Sequence, residues 1–277
     1  MANDLFVELQ EKLEGKKVRI VFPEAYDERV LEAAVKLSAT SYVQPVLVGK
    51  RERVEEIAQP LFLNVSGIEF VDHENYEKYD EMVAKFVERR AGKVTEEKAR
   101  ELLQDVNYFG TMLVYMGEVE GLVSGAIHST GDTVRPALQI IKTKPGVSRT
   151  SGAFIMSRNA SRFIFADCAI NTTIDAQGLA EIAVESAKTA KAFNINPKVA
   201  MLSFSTYGSA KTEETLKVAE ATKLVREKAP TLPVGGEMQF DAAYVPPVAK
   251  LKAPNSEIQG DANVFIFPSL EAGNIGY

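Results

Sequence analysis

The sequence has a single cysteine, Cys168, so no internal disulfide can form, a usage that fits a reducing, cytoplasmic setting. No apolar run approaches membrane-spanning length, and the opening residues MANDLFVELQ lack the basic-then-apolar order of a signal peptide. An excess of positive charge is also missing. The net charge is −6, which argues against general nucleic-acid affinity. There is no G-x-x-x-x-G-K-S/T spacing for a nucleotide P-loop, no internal repeat and no low-complexity tract. Nor is there the aspartate set that a metal- and nicotinamide-dependent decarboxylating dehydrogenase would need. What remains is an ordinary globular composition in a chain of 277 residues, long enough for two domains.

Alternation of helical and strand patterns runs through the first half. A helix is predicted over Asp4 to Gly15, a strand over Val18 to Phe22, and a helix capped by Asp27 that runs through Leu37. A strand over Gln44 to Gly49, a helix over Arg51 to Gln59 and a strand over Ile68 to Val71 follow. Two helical segments then cover about 76–90 and 95–106, before a strand over Val119 to Ser124. Such β-α repetition implies parallel pairing in an open α/β sheet, with ligands at the carboxyl ends of the strands.

Around Lys144-Pro145-Gly146 the pattern changes, so a boundary is expected near 145, giving domains over 1–145 and 146–277. Ser151 to Ser157 and Arg162 to Asp167 read as a hairpin turning through Arg158-Asn159-Ala160-Ser161. Alternation then resumes. It comprises helix 175–193 capped by Asp175, strand 199–203, helix 211–228, strand 234–238, helix 240–250 and strand 264–267. The chain then stops just as another turn-to-helix element begins, so a further C-terminal segment is expected.

Two strand-to-helix turns share one grammar of glycine and hydroxyls. In the first, Gly125 to Thr133 includes His128, Ser129, Thr130 and Gly131, with Asp132 expected to cap a helix that carries Arg135 in its first turn. In the second, Ser205, Thr206, Gly208 and Ser209 precede Lys211. A helix start exposes unpaired N–H groups and partial positive charge, so each turn reads either as an oxyanion cradle or as ordinary N-capping, by Ser209 or Thr212 in the second case. Arg135 reads either as an anion ligand or as a salt-bridged surface residue. Lys211 reads either as a phosphate contact or as a solvated lysine. From Val134 to Arg162 six basic residues (Arg135, Lys142, Lys144, Arg149, Arg158, Arg162) occur with no acidic one, suited to a small polyanion or simply to solvation.

These stretches carry a family resemblance. Ile20-Val21-Phe22-Pro23-Glu24, Ser124 to Thr130 with Arg135-Pro136-Ala137-Leu138, and Ser151 to Met156 resemble segments of the phosphate acetyl/butyryl transferases. So do Phe165 to Ala169, Met201 to Lys211, Gly236 to Asp241, and Phe267-Pro268 with Gly273 to Tyr277. The resemblance covers essentially the whole chain. It implies a two-domain, three-layer α/β/α fold, isocitrate dehydrogenase-like, with a central cleft, and usually a homodimer. It also implies reversible acetyl transfer between acetyl phosphate and coenzyme A, with phosphate as the other product and no metal or redox cofactor.

By the motif match, Arg90 and Arg135 are the residues implied for coenzyme A or phosphate, with Arg89 an alternative to Arg90. The substrate-binding set is then Arg90, His128, Ser129, Thr130, Arg135, Ser205, Thr206, Gly208, Ser209 and Lys211. The family's serine–arginine pair, catalytic aspartate and a further arginine fall after the Gly-Asn-Ile-Gly-Tyr motif, beyond Tyr277, so the catalytic residues of this sequence stay unassigned. Little transferase activity is expected if these residues are the entire polypeptide. A phosphate butyryltransferase and a non-catalytic coenzyme A- or phosphate-binding relative are the competing readings.

His128 is expected to donate to a phosphate or carbonyl oxygen, or else to be a structural turn residue. Cys168 follows an apolar run and has no evident histidine partner, so it reads as buried and structural. His73 with Asp72 and Glu74 reads as a loop rather than a metal site, and Asp167 as a strand-end carboxylate that bonds backbone.

Overall fold

The computed structural model describes residues 5–158 and 161–277. They divide into two compact units, one ending at Lys142 and the other running from Thr143 to Tyr277.

In the first unit the order is α1 (Leu5–Leu13), β1 (Val18–Phe22), α2 (Glu28–Ser38), β2 (Val43–Val48), α3 (Arg51–Ala58) and β3 (Glu69–Val71), then α4 (Tyr79–Arg90), α5 (Glu96–Leu102), α6 (Val106–Tyr115), β4 (Gly121–Leu122) and α7 (Thr130–Ile140). Its four strands pair in parallel in the order β3-β2-β1-β4. Alternate residues feed opposite faces, as the pleat requires. Phe22 and Leu47 pack with Leu31, Ala34 and Val54 of α2 and α3. Val21, Val46 and Val48 pack with Met82, Phe86, Phe109 and Leu113 of α4 and α6.

The second unit contains β5 (Ala153–Arg158), β6 (Ser161–Ala166), α8 (Ala176–Ala192), β7 (Val199–Leu202), α9 (Glu213–Lys228) and β8 (Val234–Met238), then α10 (Phe240–Tyr244), α11 (Pro246–Lys252), β9 (Val264–Ile266) and α12 (Leu270–Gly276). The sheet order is β5-β6-β9-β7-β8, with β5 antiparallel to β6 and the rest parallel. Val199 and Met201 face α8 and α9, while Ala200 and Leu202 face the aromatic and α10 side. Helices therefore cover both faces of each sheet, and the molecule is a two-domain α/β/α protein. No helix among the described residues is long and apolar enough to cross a membrane.

Several element limits differ from the sequence reading. The segment 95–106 is only α5, and a separate helix, α6, follows from Val106, capped by Asp105. That helix is buried from Asn107 to Leu113, so it carries no polar face for a periodicity reading to detect. Gly110 lets it pass close to the sheet: a Cβ there would lie 2.9 Å from Leu122 and 3.1 Å from Pro23. The predicted strand 119–124 shrinks to the two residues of β4. Helix 240–250 is two short helices, because Pro246 cannot donate to the first and starts the second. Asp4 and the hairpin-turn residues 159–160 lie outside the described residues.

Candidate functional site

In the first unit the chain leaves β1 toward β2 and β3 on one side and returns to β4 on the other, so the carboxyl ends of β1 and β4 form a topological switch point. Glu24 follows β1 there, with its side chain only 2% exposed. Its carboxylate accepts the N–H groups of Gly125 (3.0 Å), Ala126 (2.8 Å), Ile127 (2.9 Å) and His128 (3.1 Å). The His128 ring Nδ1 lies 2.7 Å from Oε1. Burial works to raise this carboxyl, but the N–H groups of Ile127 and Ala126 and the His128 ring outweigh it and hold it at about 2.

The first predicted cradle is thus filled from within. The N–H groups that the turn offers at 125–128 go to Glu24, because a buried carboxylate needs several donors to remain charged. Glu24 had no role assigned from sequence. The available signal was an acidic residue directly after a buried strand and Pro23.

Beside the pair lies a cavity of about 270 Å3 lined by Phe22, Glu24, Arg29, Val30, Ala33, Val123, Ser124 and Ala126. Arg29 closes one side by donating to the Ala126 carbonyl at 2.9 Å. Ser124 Oγ donates to the buried Asn107 Oδ1 at 2.6 Å.

Helix α7 begins three residues earlier than predicted. Its N-cap is Ser129, whose Oγ accepts the Asp132 N–H and donates to the Asp132 carboxylate. Asp132 is therefore a first-turn residue rather than the cap, because the shorter serine side chain already satisfies the orphan N–H. Arg135 consequently sits in the second turn, away from the helix start, 56% exposed and 3.2 Å from Asp132. Thr130 and Gly131 are the first helical residues, and their N–H groups have no intrahelical acceptor.

Arg89 and Arg90, both at the end of α4, divide their work. Arg89 donates to the carbonyls of Ile140 and Ile141 at the end of α7 and lies over the Tyr115 ring. Arg90 donates to the Gln139 carbonyl, but its buried Nε has no partner among the described residues. That unsatisfied donor separates Arg90 from its neighbour, a choice the sequence left open.

In the second unit the turn after β7 is also satisfied internally. Glu237 on β8 accepts from Gly208 N–H (2.6 Å) and Ser205 Oγ (2.9 Å). Ser209 Oγ accepts the Thr206 N–H, and Thr206 Oγ1 accepts the Gln239 N–H. Ser205 and Thr206 are buried, so Ser205, Thr206, Gly208 and Ser209 tie the turn to β8 instead of forming an open cradle. Helix α9 starts at Glu213 with Thr212 and Thr215 as a reciprocal capping box, so neither Ser209 nor Lys211 belongs to its start. Lys211 is exposed ahead of the cap.

After β6, the fully buried Asp167 accepts N–H groups from Gly152, Ala169, Ile170 and Asn171, and the Asn171 side-chain amide. Burial opposes ionisation, but these donors hold the carboxyl below its usual value. Cys168 beside it is buried, and burial with the Asp167 charge pushes its thiol up to about 11, which suits an inert structural cysteine.

Asp72 bonds Asn75 and the Glu74 N–H, and Glu74 pairs with Lys50 at 2.6 Å, so these loop carboxylates already have partners. The six basic residues of 134–162 do not form one element. Arg135 and Lys142 belong to the first unit, the other four to the second, and Arg149 pairs with Asp175.

Residues 4–277 match the family model described as "Phosphate acetyl/butaryl transferase". The chain is 61% identical over 274 residues to the phosphate acetyltransferase of Bacillus subtilis (strain 168), covering 99% of this chain and 85% of that protein. Among solved structures, the EutD phosphotransacetylase from Staphylococcus aureus superposes with a TM-score of 0.91 at 62% identity. A phosphotransacetylase from Streptococcus pyogenes superposes with a TM-score of 0.94 at 53% identity. In both cases 99% of this chain and 84% of the other is covered. With its parallel α/β sheets, strand-end turns and near full-length similarity, the chain belongs to the phosphate acetyl/butyryl transferase family and is an acyltransferase.

Proposed function

We propose that this protein transfers an acetyl group reversibly between acetyl phosphate and coenzyme A, by direct attack of the coenzyme A thiolate on the acetyl carbonyl in a ternary complex. Alignment of two bound substrates supplies a large part of such a barrier, so no acyl-enzyme is needed. The observation that carries the reading is the switch-point site of the first unit. There the buried Glu24, paired with the partly exposed His128, adjoins the start of α7, with Arg135 on the same helix and the Arg90 Nε unsatisfied beneath its far end. The relatives' shared name, phosphate acetyltransferase, favours acetyl over butyryl.

In this reading Arg135, Arg90, Thr130 and His128 meet the anionic substrates, and Ser129 shapes the helix start. Ser205, Thr206, Gly208 and Ser209 hold the second turn in place, with Lys211 the exposed cation beside it. The protein works as a cytoplasmic homodimer with no metal or redox cofactor and no membrane or nucleic-acid partner. Support comes from the family resemblance, the net charge of −6 and the buried lone cysteine.

The exposed Arg135–Asp132 pair is worth little to stability, which leaves the guanidinium available to phosphate. Arg135→Ala is expected to raise the KM for acetyl phosphate and phosphate roughly 10-fold or more, the loss of a charge-assisted contact. Thioester formation from acetyl phosphate and coenzyme A measures it. Unchanged kinetics would remove Arg135 from the site, and no thioester from the unsubstituted protein would remove the transfer reading.

A further inference from the structure

Helix α6 is buried from Asn107 to Leu113, and within that run Asn107 carries the one amide side chain. The residue is 1% exposed. Its amide is not needed to begin the helix, because Asp105 already caps α6 by accepting the N–H groups of Asn107 and Tyr108. The side chain instead bonds across to a strand end: Ser124 Oγ lies 2.6 Å from its Oδ1. That contact holds in either orientation of the amide, since a hydroxyl can donate or accept. The amide nitrogen is buried with no partner among the described residues. A half-satisfied amide costs stability at such a depth, and an apolar side chain would carry no such cost. What Asn107 supplies is its hold on Ser124.

We propose that Asn107 is a positioning residue for the turn after β4: it pins Ser124 from α6 and so sets where Ser129, Thr130 and the start of α7 stand. This role rests on the acetyl-transfer reading, in which that turn meets the phosphate group. Two holds then act on consecutive residues from different elements. Glu24, after β1, takes the N–H groups of Gly125, Ala126, Ile127 and His128, and Asn107, from α6, takes the side chain of Ser124. The chain is thus tied at five successive positions before it reaches the Ser129 cap. A Cβ on Gly125 would lie 3.7 Å from Thr133 Oγ1, so the turn packs onto the helix that it leads into.

Strand β4 by itself gives the turn little support. It pairs with β1 over only Gly121 and Leu122, and the last bond between them runs from the Val123 N–H to the Val21 carbonyl. Among the described residues β4 is also an edge of its sheet, with a strand on one side alone. Ser124 therefore leaves the sheet at an edge, and Gly125, Ala126 and Ile127 beyond it are exposed. A side-chain bond from a buried helix takes the place of the missing strand neighbour. Displacement at Ser124 would be carried along the turn to the N–H groups of Thr130 and Gly131, and hydrogen bonds weaken steeply once their geometry is lost.

The test joins a titration to an assay, with inorganic phosphate as the probe in calorimetry of the full chain. Ser124→Ala and Asn107→Leu should each weaken phosphate binding about 5-fold, the worth of one neutral hydrogen bond. The KM for acetyl phosphate should rise alike, with kcat little changed. Ser124→Thr keeps the hydroxyl and should bind phosphate as the unsubstituted protein does. Combining Ser124→Ala with Asn107→Leu should lose no more than either alone, because the same bond is removed in all three variants. Unchanged phosphate affinity in Ser124→Ala overturns the positioning role, even if Asn107→Leu fails to fold, and so does a double variant whose losses multiply. A lower urea midpoint with unchanged affinity marks a contact that serves stability alone, and overturns the role as well. Absence of thioester from the unsubstituted protein instead overturns the transfer reading, while the phosphate titration still decides the part played by Asn107. An unsubstituted protein that binds no phosphate overturns both.

Discussion

The turns around Glu24 and Asp167 solve one electrostatic problem in two ways. Each places a buried carboxylate at the end of a parallel strand, and each satisfies it with four backbone N–H groups and one side-chain donor. At Asp167 the fifth donor is the Asn171 amide, which does not titrate, and the site is sealed. Gly273 of α12 packs against the Asp167 carbonyl, and the neighbouring thiol is pushed up to about 11. At Glu24 the fifth donor is a histidine that reaches solvent, beside a cavity. Burying a charge makes a rigid corner in both cases. Only the corner that ends in the His128 ring presents a side chain to solvent.

The largest expected effect is from neutralising the sealed carboxylate. Asp167→Asn sets an NH2 group against N–H donors and should lower stability by about 3 kcal/mol, read as a fall in the urea midpoint. Glu24→Gln should cost less, because the exposed turn 125–127 can turn its freed N–H groups to water. If Glu24→Gln proved the more damaging, the contrast between sealed and open corners would fail.

Acid should act on both corners in the same direction. Their folded pKa values lie below the unfolded ones, so each contribution is fully present above the unfolded pKa and is lost as pH falls. For Glu24 the window runs from 4.5 down to about 2, and the full contribution is on the order of 3 kcal/mol. Thermal midpoints measured from pH 6 to pH 3 should fall, and less steeply in Glu24→Gln; parallel curves would contradict the Glu24 share.

Two glycines sharpen the comparison at smaller scale. A Cβ on Gly273 would lie 2.2 Å from the Asp167 carbonyl oxygen, so Gly273→Ala should cost roughly 1–3 kcal/mol. At Gly131, beside the open corner, the nearest atoms would be 3.8 Å away on Arg135 and Ser129, and Gly131→Ala should be neutral or slightly stabilising. Equal losses in chemical unfolding would show that the two corners are packed alike.

Much of the architecture is legible along the chain because its causes are local. Val18–Phe22 and Val234–Met238 are bounded as strands by runs of apolar residues and flanking breakers, and Asp27, Asp175 and Thr212 announce helix starts through their side-chain oxygens. Helix α6 escapes this reading because burial on every side erases the amphipathic period. Of the candidate site, the turns at 125–133 and 203–211, together with Arg90 and Arg135, stand out in the sequence by composition and family resemblance. Their partners do not, since Glu24 lies 101 residues from Gly125 and Glu237 lies 29 from Gly208.

The amino-acid order alone determined the alternating α/β plan, the anion-seeking turns and the family, because propensity, capping and motif spacing act over a few residues. Tertiary structure decided where the N–H groups of those turns point, and hence that internal glutamates claim them. It also decided which arginine at the end of α4 keeps an unsatisfied donor and which nitrogen of His128 faces the Glu24 carboxylate. Each of these depends on a charge carried in from a distant strand or helix end, and no local pattern encodes that distance.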